Sequence, residues 1–254
     1  MESLLSSTAV LASVRPFSVC VTLPGMSATS IRARLRAEMS EEIKAAARRQ
    51  LEAGGANLSL RAVAREMELV PSALYRYFAS RDELLTALII DAYNALGDAA
   101  EAGDAAAADR ADLRGRWLGI CHGVRDWALA NRAEYALIFG SPIPGYTAPP
   151  DTLPAATRTP RALLQILIDG VRDGTLPGTG PAGLPHDVRA DLTRIRQDHL
   201  PDLPEPLLAL GFLCRTHLFG AVSFEVFGQF PEVIEAQDTY FDFQMRQVAG
   251  LIGL

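Results

Sequence analysis

The chain has 254 residues, of which 49% are hydrophobic and 21% charged, with a formal net charge of −6. That composition excludes a disordered or fibrous chain and allows one large domain or two ordinary ones with real cores. Alanine and leucine are abundant and β-branched residues sparse, so the expectation is an all-α fold.

Residues 1–29 carry no helical period. They are rich in Ser, Thr, Val and Pro, and as a secretion signal they lack a charged start and a clean cleavage site. They read as a disordered arm or as a mis-assigned start. Met26 lies just before the first convincing helix, so translation from Met26 rather than Met1 is the hypothesis; the intact mass of the native protein decides it.

A first amphipathic helix is expected over Ser30–Ala53, with Leu35, Met39, Ile43, Ala46, Ala47 and Leu51 at helical spacing and Gly54-Gly55 ending it. Arg32, Arg34 and Arg36 lead into it. The next stretch, SLRAVAREMELVPSALYRYFASRDELL from Ser59 to Leu85, organises the chain. Ser59 stands as an N-cap, and Leu60, Val63, Ala64 and Met67 give one apolar face. After a break of three or four residues, Pro71 opens a short helix to about Phe78. Ser80-Arg81-Asp82-Glu83 reads as a capping box before a longer helix, Ser80 to about Ala99. Charge follows this layout. Residues 31–81 hold ten basic and six acidic side chains, a net +4, which leaves −10 for residues 82–254. A basic block on an acidic body suits one end meeting phosphate.

Residues 31–98, and above all LYRYF followed by Arg81 and then ELL, resemble the DNA-binding domain of the tetracycline-repressor (TetR) family. The resemblance implies a three-helix helix-turn-helix head over residues 30–80, a connecting helix over 81–100, and a C-terminal ligand-binding and dimerisation domain over 110–254. By residue match, Ser59, Arg61, Pro71, Ser72, Ala73, Tyr75, Arg76, Tyr77 and Arg81 become the DNA-facing positions. Arg61 and Arg76 are base-edge candidates, because a guanidinium pairs bidentately with guanine. Tyr75 and Arg81 are phosphate candidates, although Tyr75 or Tyr77 can equally pack beneath the helix. Two positions depart from the family pattern. Glu68 stands where the turn usually has glycine, implying a positive φ, and Val70 stands where the recognition helix usually has a Ser or Thr cap.

Glu101–Asp109, EAGDAAAAD, reads as a linker. Helices are then expected over Ala111–Ala130, Ala133–Phe139, Thr159–Asp173, Asp187–His199, Glu205–Phe230 and Glu232–Leu251. A Pro-rich loop is expected over Ser141–Pro154 and a Gly/Pro-rich one over Thr175–Pro185. No apolar run approaches ~18 residues, so no membrane span is expected. Three cysteines (Cys20, Cys121, Cys214) without a C-x-x-C read as reduced thiols in a cytoplasmic protein. The four histidines form no H-x₃₋₅-H pair, so neither metal nor cofactor is expected. No nucleophile elbow or P-loop occurs.

Trp117, His122, Trp127, Phe139 and His217 are candidates for an effector pocket, with core packing as the alternative for each. The stretch LCRTHLFGAVSFEVFGQF resembles the C-terminal domain of one TetR subgroup, the WHG type. There the last two helices pair with a partner's as a four-helix bundle. This makes Phe212, Phe219, Gly220, Ala221, Phe224 and Phe227 candidates for a homodimer interface, or else monomer core. The resemblance implies a non-enzymatic repressor that leaves a palindromic double-stranded operator when a small-molecule effector binds. The alternatives are a helical enzyme with a fused helix-turn-helix, or a helical interaction module whose basic face meets an acidic protein. DNA from upstream of its own gene, against scrambled DNA, distinguishes the three.

Overall fold

The computed structural model describes residues 28–54, 58–177, 183–230 and 233–254, and the expectations for residues 1–27 lie outside it. The chain divides into two units, one ending at Met39 and one running Ser40–Leu254. In the first unit the start of α1 (Ala28–Gly54) carries an Arg34–Glu38 ion pair at 2.7 Å.

Among the described residues the second unit is built from helices and turns. After α1 come α2 (Leu60–Glu66), α3 (Pro71–Leu74), α4 (Arg81–Ala105), α5 (Leu113–Ala130) and α6 (Arg132–Phe139). A 3₁₀ turn (Pro150–Thr152) leads into α7 (Leu153–Ala156), then α8 (Arg158–Arg172), α9 (His186–His199), α10 (Glu205–Val226) and α11 (Gln237–Leu251). The all-α expectation holds, with several boundary corrections, one of them α10 ending at Val226 rather than Phe230. The expected linker Glu101–Asp109 is in its first part the last turn of α4, which runs to Ala105, and only residues 106–109 lie outside a helix. Its alanines favour helix, and Asp104 is held there by Arg110 at 2.6 Å and by Arg116 at 2.7 Å. The end of the Pro-rich loop is helical, because Pro154 occupies a first-turn position where its missing N–H costs nothing. The last helix begins at Gln237, five residues later than expected.

The head packs on Ile43, Ala46, Ala47, Leu60, Val63, Ala64, Leu74, Leu84 and Leu85, all buried. Polar ties fix its angles. Lys44 and Arg48 of α1 both reach Asp91 of α4, at 2.7 and 2.6 Å, while Arg49 binds Glu66 of α2 at 2.6 Å. The body's core runs through Trp117, Ile120 and Val124 of α5, Ile166 of α8, Leu207 and Leu218 of α10 and Met245 of α11. Helices α4 and α5 cross at Gly103 and Gly119, where a Cβ on either would overlap the other's carbonyl oxygen. Only glycine permits that approach.

Cys121 and Cys214 are free and buried. Burial pushes the Cys214 thiol up to about 12 and the Cys121 thiol well above its ordinary value, so neither is a ready nucleophile. Helix α10, with a mean hydropathy of 1.5 over its apolar window, is long and apolar enough to cross a membrane. Arg215 and His217 interrupt its apolar run, so this test of length and composition does not overturn the expectation of no membrane span. Its apolarity has another use: Leu207, Leu208, Cys214, Leu218, Val222 and Val226 face the core, while a second apolar stripe faces outward.

Candidate nucleic-acid interface and effector region

The turn of the helix-turn-helix is built around Glu68. Its φ of 55° is the one positive value on a non-glycine residue among the described residues, as the departure from glycine implied. The Leu69 N–H donates to the Ala64 carbonyl at 2.8 Å and the Glu68 N–H to Arg65 at 3.2 Å. These are the two bonds of a Schellman motif, here closed by glutamate instead of glycine. Ser59 and Val70 occupy the N-cap positions of α2 and α3, but neither side chain makes a capping bond. Ser59 contributes through its carbonyl, which accepts from Ala62 and Val63.

Helix α3 is shorter than expected, a single turn from Pro71 to Leu74. It continues as turns through Tyr77, with mixed spacing: Tyr75 donates to Pro71 at 3.2 Å, Arg76 to Ala73 at 3.3 Å and Tyr77 to Leu74 at 2.9 Å. Leu74 and Phe78 anchor it inward, which leaves Pro71, Ser72, Tyr75 and Arg76 exposed, with Ala73 and Tyr77 half-buried. At the start of α4 the Ser80 Oγ accepts from the Glu83 N–H at 3.1 Å. Glu83 reaches back to the Ala79 N–H at 2.6 Å, one residue earlier than a standard capping box. Arg81 is half-buried and donates through Nε to the Leu58 carbonyl at 3.0 Å, so it also pins the α1–α2 connection.

The basic block separates into two kinds of cation. Arg34, Lys44, Arg48 and Arg49 are paired with carboxylates. Arg61 and Arg76 are exposed and make no ion pair among the described residues. Arg65 shares that condition one helical turn beyond Arg61. Sequence reasoning missed it, although the i, i+4 spacing on α2 was the available signal.

The five expected pocket residues do not converge. Trp117 is 2% exposed and donates its indole N–H to the Met245 carbonyl at 3.0 Å, so it is core. His122 sits between α5 and α11, 3.2 Å from Asp242 and edge-on to Phe241. Trp127 is partly buried against the core. Phe139 joins an aromatic group with Tyr93, Tyr135 and Phe219. His217 is exposed on the outer face of α10. The cavities lie elsewhere. One is an open cleft of about 500 Å³ bounded by Leu51 and Glu52 of α1, the start of α6, and Val226-Phe227. Another, of about 80 Å³, lies among α8, α9 and α10.

The candidate dimer residues divide. Phe219 turns inward, 4.6 Å from the Phe139 ring, and Ala221 is partly buried against the core. Phe212, Phe224 and Phe227 are exposed, Phe224 by 50%, and a Cβ at Gly220 would meet nothing within 4 Å. Leu213, His217, Gly220, Phe224 and Phe227 follow one i, i+4, i+7 stripe. Tyr240, Phe243 and Leu251 on α11 add further exposed apolar surface, which sequence reading overlooked. Gly228, just beyond α10, takes a φ of 67° at the helix end.

An all-helical chain with a helix-turn-helix head and a helical body defines a class of DNA-binding regulator. Residues 43–88 match the profile of bacterial regulatory proteins of the tetR family, and residues 117–248 match a tetracyclin repressor-like C-terminal domain. The HTH-type transcriptional regulator Rv1816 of Mycobacterium tuberculosis is 38% identical over 225 residues, spanning 85% of this chain and 93% of that protein. The crystal structure of SCO4313, described as a regulatory protein, superposes with a TM-score of 0.71 at 34% identity, covering 86% of this chain and 98% of that one. The TetR family regulator PfmR of Thermus thermophilus shares the fold at 16% identity, with a TM-score of 0.53 over 81% of this chain and 96% of its own. The chain belongs to the TetR family of transcriptional regulators, and it is not an enzyme.

Proposed function

We propose that this protein is a cytoplasmic, homodimeric repressor that binds a palindromic double-stranded operator and leaves it when a small molecule occupies the body. Residues 30–80 form the head, 81–100 the connecting helix and 110–254 the ligand-binding and dimerisation domain. The short helix from Pro71 enters a major groove. Ser59, Arg61, Pro71, Ser72, Ala73, Tyr75, Arg76 and Tyr77 face DNA, Arg65 joins them, and Arg81 reaches phosphate from its half-buried position. The observation carrying this reading is the exposed, uncompensated set Arg61, Arg65 and Arg76 around α3. A guanidinium without an internal carboxylate is available to phosphate or to a guanine edge.

A palindrome needs two recognition helices held at fixed spacing. The apolar stripes of α10 and α11 supply a self-complementary surface for that pairing. Effector binding shifts α4, which enters both the head's and the body's packing, and weakens the operator complex by a coupling of typically ~1–3 kcal/mol. Titrating DNA from upstream of its own gene, against scrambled DNA, in a mobility-shift assay tests the reading. Selective retention at nanomolar protein is expected. Equal retention of both DNAs points to a non-specific basic module and overturns it.

A further inference from the structure

The cavity of about 80 Å³ among α8, α9 and α10 is lined by Leu163, Leu164, Ile195, Leu200, Phe212 and Arg215, with Pro160 and Gly211 completing it. Apart from Arg215 no lining residue has a polar side chain. That arginine differs from the other inward-reaching arginines of the body. Arg116, Arg125 and Arg158 each bind two carboxylates. Arg196, on the neighbouring α9, has a buried Nε without a partner but keeps Glu205 at 4.0 Å. Arg215 makes no ion pair among the described residues, its Nε is buried without a hydrogen-bond partner, and its guanidinium lies 5.9 Å from the Phe219 ring centroid. An aromatic face attracts the cation but does not supply the missing acceptor.

One guanidinium N–H of Arg215 is buried without an acceptor beside an apolar cavity, which is costly unless an anion supplies that acceptor. We infer that this cavity binds a small monocarboxylate with an apolar body, its carboxylate on Arg215 and its body between α8, α9 and α10. Guanidinium and carboxylate match geometrically, through two parallel N–H···O bonds. The volume is well below the ~300–1,000 Å³ of sites for larger ligands, which restricts the body to a short chain or a single ring. The inference rests on the regulator reading in one respect, namely that this ligand is the effector. A route to the head exists. Arg215 lies over the Phe219 ring, Phe219 packs on Phe139 at 4.6 Å, and Phe139 meets Tyr93 of α4 edge-on at 6.1 Å, so a shift of Arg215 is relayed by packed rings to the connecting helix.

The test uses the full chain with butanoate, hexanoate and benzoate, each against its neutral amide, in calorimetric titration and thermal unfolding. At least one acid is expected to bind and raise the Tm, with its amide at least tenfold weaker. Arg215→Met keeps the length of the side chain and should abolish binding without lowering the Tm of the ligand-free protein. Leu164→Phe fills the cavity, leaves the guanidinium, and should also abolish binding; it decides the matter should Arg215→Met fail to fold. Equal binding of acid and amide, binding retained in the folded variants, or silence from all three acids overturns the inference. A mobility shift run in parallel separates the two readings. Acid binding by a protein that shows no operator preference defeats the regulator reading alone. Acid binding that leaves a specific DNA complex intact removes the effector role.

Discussion

In the body, Arg116, Arg125 and Arg158 each hold two carboxylates, whereas on the helix-turn-helix Arg61, Arg65 and Arg76 hold none. The same side chain therefore does two jobs, although exposure alone does not assign them, since the exposed Arg34 and Arg49 of the head are also paired. Arg116 and Arg125 have side chains only 3% and 7% exposed, where an unpaired charge would be very costly. On α2 and after α3, water bears the solvation cost, and the charge stays available for an external anion. A net charge of −6 is compatible with DNA binding because the charge is partitioned, with +4 on residues 31–81 and −10 on residues 82–254. A parallel contrast holds for apolar surface. The inner face of α10 is sealed in the core, while its outer stripe, with that of α11, is exposed.

The largest expected effect comes from breaking that outer stripe. A side chain at Gly220 meets nothing within the protomer, so Gly220→Glu should leave each subunit folded and place a carboxylate in the pairing surface. Light scattering is expected to report monomers, with helicity retained by circular dichroism. Affinity for the upstream DNA should fall towards non-specific strength, roughly 10³-fold or more. A helical dimer that still binds selectively places the interface elsewhere.

Next comes a test of the internal arginines. Arg125 grips Glu225 through two bonds, at 2.5 and 2.6 Å, and also reaches the exposed Asp238. Glu225→Gln leaves a buried guanidinium short of charge and should cost about 3–5 kcal/mol of stability in urea unfolding. Asp238→Asn, on the rim, should cost less than ~1 kcal/mol. Similar losses from both would mean that burial does not set the value of these pairs.

The head tests the opposite case. Arg76→Ala should leave stability within about 0.5 kcal/mol, because no internal partner is lost. Operator binding should weaken by roughly 1–3 kcal/mol, with relaxed preference at one base position. A uniform loss on all DNA, with a shallower salt dependence, would reassign Arg76 to phosphate.

How much of this was legible in the sequence depends on the range of the interaction concerned. The helices were readable because Pro71 and the 3.6-residue rhythm act locally, but several of their ends were not, and the Ser59 and Val70 side chains make no capping bond. The Schellman turn at Glu68 was readable because a family position fixed its backbone. The faces of α10 were not. It is apolar on both sides, so periodicity could not separate Phe219, which packs on Phe139, from Phe224, which is exposed. Trp117 and His217 were grouped by residue type, and only tertiary packing sends one to the core and the other outward. Arg215 escaped notice because its significance lies in a partner it lacks, which no sequence pattern records.

The smallest effect concerns the turn itself. Glu68 holds a φ of 55°, and a non-glycine residue pays ~1 kcal/mol or more for that region. Its side chain is exposed, and the bonds that close the motif come from backbone N–H groups, so glycine can keep them. Part of the relief is lost because glycine gives the unfolded chain more freedom. The net expectation for Glu68→Gly is a gain of up to about 1 kcal/mol, or a rise in Tm of about 2–4 °C for a chain of this size. Glu68→Ala is the control: it removes the charge but keeps the Cβ, and should show no such rise. Because the Leu69 and Glu68 N–H bonds still set the aim of α3, the base preference of the glycine variant should match that of the parent. A lower Tm for Glu68→Gly would show that the glutamate side chain contributes more at this turn than its backbone conformation costs.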